Sequence, residues 1–226
     1  MDVSFFCYFR FKTSFAAPAN PDEWPSDTNT FNINVHYNYE SNSILFPILW
    51  TMDQFLDSTL ANLFSFAGFG SIIGHEMTHA FDFKGRHFGP TGVDRNLTIG
   101  TTSANFKEKQ KCFHRQYSGL GELRDTAGVL AENTADNVAL VLAYKAWKKQ
   151  NELGSKRLPG LELNADQAFF TAFAQNWCTL STGATGTHSL GKLRVLGPLQ
   201  NSPEFAKAFS CPAGSKMNPT NKCTLW

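Results

Sequence analysis

Gly74-His75-Glu76-Met77-Thr78-His79 sets two imidazoles four residues apart with a carboxylate just after the first. On a helix, residues i and i+4 share a face, so His75 and His79 would sit one turn apart and point the same way. Two neutral imidazoles so placed can bind one tetrahedral Zn²⁺, and Glu76 can reach a water there as general base. A third ligand must come from elsewhere. The Gly and second His that the metzincin pattern requires downstream are Asp82 and Gly85 here, which excludes that class. Further along, Ala131-Glu132-Asn133-Thr134-Ala135-Asp136 falls in a proline-free run of mostly good helix formers, Thr126 to Trp147. Glu132 and Asp136 again share a face. Taken alone the pair fits a solvated helix face. Beside His75 and His79 it fits a metal site better: Glu132 as third ligand, a fourth position left open, and Asp136 accepting the far N–H of a liganding histidine. One Zn²⁺ per chain is therefore expected.

Several elements must position these groups. A hairpin is predicted from Phe31-Asn32-Ile33-Asn34-Val35 through Ser41-Asn42-Ser43 to Ile44-Leu45-Phe46. The helix carrying His75 and His79 is predicted over about Phe66 to Asp82, ending before a Gly85 to Gly92 loop. Another should begin at Ser103 as N-cap and end before Gly119. The Glu132 helix should run to about Gln150, and a loop over Leu153 to Leu163 should turn at Pro159-Gly160. Helices are also predicted over Asp166 to Trp177 and from Pro203 to Ala208, the last capped by Ser202. The expected class is α+β, mostly helical, with a small hairpin beside the zinc helix.

The motifs read in order carry a family resemblance. Asn34-Val35-His36-Tyr37, Ile44-Leu45-Phe46-Pro47, Ile73-Gly74-His75-Glu76-Met77-Thr78-His79, Phe81-Asp82, Ala104-Asn105-Phe106-Lys107, Glu132-Asn133-Thr134-Ala135-Asp136, Asn176-Trp177-Cys178, His188-Ser189, Arg194 and Cys223-Thr224-Leu225-Trp226 resemble, nearly collinearly, the C-terminal part of the neprilysin and endothelin-converting-enzyme family of zinc endopeptidases. The resemblance implies a thermolysin-like catalytic domain (a gluzincin) acting on oligopeptides, cut before an apolar residue. It makes Asn34 and Val35 a strand that aligns the substrate by β-addition. His188 becomes the oxyanion stabiliser, Arg194 the holder of a substrate carbonyl, and Trp177 part of the specificity pocket. Cys112 and Cys223 are implied to pair, and the location to be extracellular or at the cell surface. Four departures stand out. Gly186 replaces an aspartate two residues before His188, so the ring should be less readily protonated. Val35 replaces alanine, and Asn176 replaces an apolar residue and should make the pocket more polar. The segment Pro47 to Ala67 reads unlike the family.

At 226 residues the chain could hold one domain, or one with a small appendage. The expected division is an N-terminal stub, 1–20, and a catalytic domain, 21–226. The family's large N-terminal lobe has no counterpart here, so the alternative is a catalytically weak or inactive fragment that keeps zinc or peptide binding. A further possibility is a partner chain that supplies the lobe. No apolar run approaches the ~20 residues of a membrane-spanning helix. A net charge of +1 gives no electrostatic case for nucleic acid or a membrane surface. Charged residues make up only 17%, beside 21 Phe, which suggests faces meant to be covered. Five cysteines leave an odd one, with Cys178 and Cys211 orphaned unless they pair with each other or with Cys7. Asn96-Leu97-Thr98 is a glycosylation sequon.

Overall fold

The computed structural model describes residues 34–47, 61–93, 100–150, 160, 162–178 and 186–225. The N-terminal stub, Cys7, Phe31 to Ile33 of the predicted hairpin, the sequon, Pro159 and most of the Pro47 to Ala67 segment lie outside the described residues.

Strands β1 (His36–Asn38) and β2 (Ser43–Leu45) pair antiparallel, with His36 opposite Leu45, Tyr37 opposite Ile44 and Asn38 opposite Ser43. The hairpin exists, but its first strand begins after Asn34-Val35 rather than including them. The Asn38 side chain explains this. Its Oδ1 accepts from the Glu40 and Ser41 amides, both at 2.9 Å, an Asx-type turn that fixes where the chain reverses.

Helix α1 (Ala61–Ser65) runs through a π-helical turn (Phe66–Gly70) into α2 (Ser71–His79). The helical run therefore starts earlier than predicted and stops three residues sooner. The π turn leaves carbonyls without their usual partners, and side chains meet them. Ser71 Oγ lies 2.8 Å from the Ala67 oxygen and 2.7 Å from the Gly68 oxygen, while Asn176 Nδ2 donates to the Ala67 oxygen at 2.9 Å.

Helix α3 (Gly100–Leu120) extends past both predicted ends. Ser103 is internal, and Gly119 is tolerated in the last turn. The stop comes at Gly121, whose φ of 102° is open to glycine. Its amide donates to the Ser118 oxygen and the Glu122 amide to the Tyr117 oxygen, a Schellman closure.

Thr126 Oγ1 accepts from the Val129 amide and caps α4 (Ala127–Gln150). Helix α4 is central: one side faces α2, another α3 and α6, and eleven of its residues are buried. Helix α5 (Ala165–Gln175) opens on an Asn164–Gln167 capping box, and α6 (Gly191–Asn201) leads into α7 (Pro203–Ala208), capped by Ser202 as expected.

Two apolar clusters flank α4. The larger stacks Trp147 on Phe169 (5.1 Å between centroids) and Tyr144 on Phe170 (5.0 Å), joining α4 to α5 and α7. The smaller packs Phe113, Tyr117, Val138 and Leu193 beneath the C-terminal segment. The Cys112–Cys223 disulfide ties that segment to α3, as the resemblance implied. Cys178 and Cys211 do not pair with each other.

Candidate metal centre

Close packing of α2 on α4 brings the two ligand-bearing faces together. Gly74 makes it possible: a Cβ there would lie 3.2 Å from Ala139 Cα and 3.3 Å from the Ala139 oxygen. One residue after Gly74 comes His75, and about one and two turns before Ala139 come Asp136 and Glu132, so the helix contact and the site share one register.

His75 Nε2 lies 3.1 Å from His79 Nε2 and 3.0 Å from Glu132 Oε2, and His79 Nε2 lies 3.7 Å from the same oxygen. Each imidazole is oriented from behind by a carboxylate. His75 Nδ1 donates to Asp136 Oδ1 at 2.9 Å, and His79 Nδ1 donates to Asp82 Oδ2 at 2.7 Å. A carboxylate only accepts, so each Nδ1 carries the proton and each Nε2 turns its remaining lone pair toward the other and toward Glu132. That arrangement repels itself unless positive charge sits among the three atoms. Tetrahedral zinc with ~2.0–2.1 Å bonds would set its ligand atoms about 3.3 Å apart, within the observed 3.0 to 3.7 Å. The donor set and its spacing fit Zn²⁺.

Electrostatics agree. Burial lowers His75, yet the hydrogen bonds with Asp136 and Glu132 carry it up to about 9. Burial would raise Glu132, but His188 and His75 hold it well below the usual carboxylate range. The site draws positive charge. Burial shifts Glu76 upward, only partly offset by His75 and His79. This is the direction that suits a base working near neutral pH.

Asp136 is 2% exposed and also takes a bidentate pair from Arg194, Nε to Oδ2 and Nη2 to Oδ1, both at 2.7 Å. The Arg194 guanidinium in turn stacks 3.7 Å over the Trp177 ring. Asp82 escaped the sequence reading as a functional residue. Besides holding His79 it accepts the Lys84 and Gly85 amides at 2.7 and 2.8 Å, which locks the chain just after α2. The available signal was its i+3 spacing from His79.

A cleft of about 320 Å³ opens over these groups. Every residue predicted to act there lines it: His75, Glu76, His79, Glu132, His188 and Arg194, with Asn34, Val35 and Trp177. Tyr37, Tyr39 and Ile72 line it too and were not anticipated. Asp136 stands behind His75 rather than in the cleft. His188 Nε2 lies 3.1 Å from Glu132 Oε2, so a carboxylate is at hand although Gly186 supplies none. Asn176, expected to make the pocket more polar, is spent on the π turn and does not line the cleft.

A model of peptidase family M13 matches residues 34–225. Human neprilysin is 38% identical over 222 residues, covering 91% of this chain and 29% of its own. Neprilysin-3 of Drosophila melanogaster is 36% identical (92% and 28%), and mouse endothelin-converting enzyme 1 is 37% identical (92% and 28%). The chain thus spans under a third of the length of these curated relatives. Among solved structures, the Haemonchus galactose-containing glycoprotein complex superposes with a TM-score of 0.77 at 31% identity, covering 85% of this chain and 35% of that one. The inhibitor complex of Mycobacterium tuberculosis zinc metalloprotease Zmp1 gives 0.76 at 24% identity, over 92% and 34%, a likeness of fold. Since the family match takes in β1, α2, α4 and α6 alike, the chain belongs to peptidase family M13.

Proposed function

We propose that this chain is a zinc-dependent endopeptidase acting on oligopeptides, with residues 21–226 as its catalytic unit. The observation that carries the reading is the convergence of His75, His79 and Glu132 on one point, each histidine backed by its own carboxylate, with Glu76 in the same cleft. A zinc ion held by these three would supply Lewis acidity toward the scissile carbonyl and lower the pKa of a nearby water.

The remaining work falls to the chain's own groups. Glu76 takes a proton from the attacking water and returns it to the leaving amine. His188 offers Nε2 to the developing oxyanion, and Arg194 offers a substrate carbonyl the N–H donors not used on Asp136. The segment Asn34-Val35 prolongs β1 along the cleft wall, where an extended peptide can add as a strand. Trp177 forms part of the wall, and its Nε1 has no hydrogen-bond partner among the described residues. The Cys112–Cys223 disulfide favours an oxidising compartment, in keeping with an extracellular or cell-surface location.

The test pairs zinc analysis with cleavage of a quenched fluorescent peptide by wild type and Glu76→Gln. One zinc per chain, with turnover present in the wild type and abolished by the substitution, supports the reading. Zinc without turnover in either would leave the alternative, a chain that binds metal or peptide without cleaving. No zinc would overturn the metal reading.

A further inference from the structure

His188 is the least enclosed of the three histidines around Glu132: its side chain is 39% exposed, against 6% for His75 and 10% for His79. Packing alone does not fix it. A catalytic group displaced by ~1 Å can lose about a hundredfold in rate, so something must hold the backbone that carries it.

The connection between α3 and α4 does so. Arg124 Nη1 donates to the Gly186 oxygen at 2.9 Å and Nη2 to the His188 oxygen at 2.8 Å. One planar fork therefore grips main-chain carbonyls on either side of Thr187. The fork is itself fixed by Glu122, whose Oε1 accepts from the Arg124 amide and Nε, both at 3.0 Å, and whose Oε2 accepts from Nη2 at 2.9 Å. The same Oε2 accepts Ser189 Oγ at 2.6 Å, and that hydroxyl lies 2.8 Å from Asn133 Oδ1, next to Glu132 in sequence. From Glu122 the hydrogen bonds thus reach Gly186 and His188 by way of Arg124, and pass through Ser189 to α4. Thr187 Oγ1 adds a contact to Glu132 Oε1 at 3.3 Å. An ordinary exposed ion pair shows none of this convergence on one loop and contributes little to stability.

We propose that Glu122 and Arg124 form a positioning pair that clamps the main chain of residues 186–189 and so holds the His188 imidazole beside Glu132 in the cleft. The proposal rests on the peptidase reading for the role given to His188. Neither residue touches substrate, and both act through the loop.

The test compares wild type, Arg124→Gln, Arg124→Lys and Glu122→Gln in the full chain. The first readout, independent of turnover, is ¹⁵N relaxation of residues 187–189. We expect order parameters near ~0.85 in wild type, falling below ~0.6 in Arg124→Gln with the helices unchanged. Lysine, which lacks the fork, should not restore them. The second readout is kinetic: kcat lower by about 10- to 100-fold, with KM and zinc content within about twofold of wild type. Order parameters unchanged in Arg124→Gln, or lowered equally across all helices, would overturn the clamp. So would equal losses in kcat and zinc content. Failure of the wild type to bind zinc or cleave peptide would sink the peptidase reading instead, while the relaxation data would still decide whether the pair holds the loop.

Discussion

Replacing Asp136 by asparagine keeps the volume of a buried side chain and removes its charge, which separates two jobs the carboxylate performs. Three donors converge on its two oxygens: His75 Nδ1 and Arg194 Nη2 on Oδ1, and Arg194 Nε on Oδ2. Asparagine offers one oxygen and an NH₂, so at least one donor must face another donor. The stability cost follows from burial. With the Asp136 side chain 2% and the Arg194 side chain 10% exposed, breaking the pair strands a buried guanidinium, at about 3–5 kcal/mol. For an m-value of ~2 kcal/mol/M, that lowers the urea midpoint of the metal-free protein by roughly 1.5–2.5 M. The second cost falls on the metal. A liganding histidine deprived of its orienting carboxylate typically weakens metal binding about 10- to 100-fold, or about 1.4–2.8 kcal/mol. Zinc affinity is read by chelator competition below the unfolding midpoint. Adding Arg194→Met removes the stranded charge, so the double variant should regain much of the stability and none of the zinc affinity. The outcome that refutes the reasoning is an Asp136→Asn protein with wild-type zinc affinity and lost stability. Asp136 would then be a counter-ion for Arg194 and no support for His75.

Three further outcomes follow from the same contacts. Gly74→Val should force α2 away from the Ala139 backbone, costing about 1–3 kcal/mol in urea unfolding and lowering zinc content as His75 is pulled from Glu132. Loss of the Cys112–Cys223 link, whose ends are separated by 111 positions in sequence, should cost about 2–5 kcal/mol. Comparing the Cys112→Ser/Cys223→Ser double variant with the oxidised wild type checks this. Hydrogen bonds from Arg124 hold Glu122 down at about 2, against an ordinary 4.5. Its stabilisation is therefore fully present above pH ~4.5 and lost as pH falls toward ~2. Because Arg124 is 32% exposed, we expect only about 1–2 kcal/mol, missing from the acid profile of Glu122→Gln.

The candidate site is easier to read in the sequence than the elements that hold it. His75 and His79, like Glu132 and Asp136, announce themselves because i, i+4 spacing is a property of the helix alone, and both pairs sit inside uninterrupted helix-forming runs. Asp82 gave only the faint signal of its i+3 spacing from His79, because its work is done just past a helix end, where spacing predicts direction less firmly. Glu122 and Arg124 lie in an irregular connection and meet residues 186–189 across more than sixty positions of sequence. No local pattern encodes such a meeting. Helix ends were misplaced where side chains intervened: Gly121 rather than Gly119 stops α3, and the Asn38 turn moved the hairpin ladder past Asn34-Val35. Of the two caps read from the sequence, Ser202 acts where it was placed and Ser103 is internal to α3, while Thr126 and Asn164 cap their helices without having been named.

The π turn also sets a rotational phase. Leu63, Ala67, Ser71, His75 and His79 recur every fourth residue, and all are buried. A regular helix turns ~100° per residue, so the sixteen steps from 63 to 79 would leave the last side chain about 160° from the first. Such a helix could not keep Leu63 in the core and His79 at the metal centre. The extra residue in a π turn absorbs about 100° of this, leaving ~60°, which fits within one buried stripe. Winding the same residues as a regular helix, with none removed, would swing either the apolar anchor or the ligand pair off its mark by ~100°, whereas deleting one residue between 66 and 70 would leave fifteen regular steps and the same ~60°. The aim of the two histidines is therefore fixed about two turns upstream of them, in a stretch with no ionisable side chain.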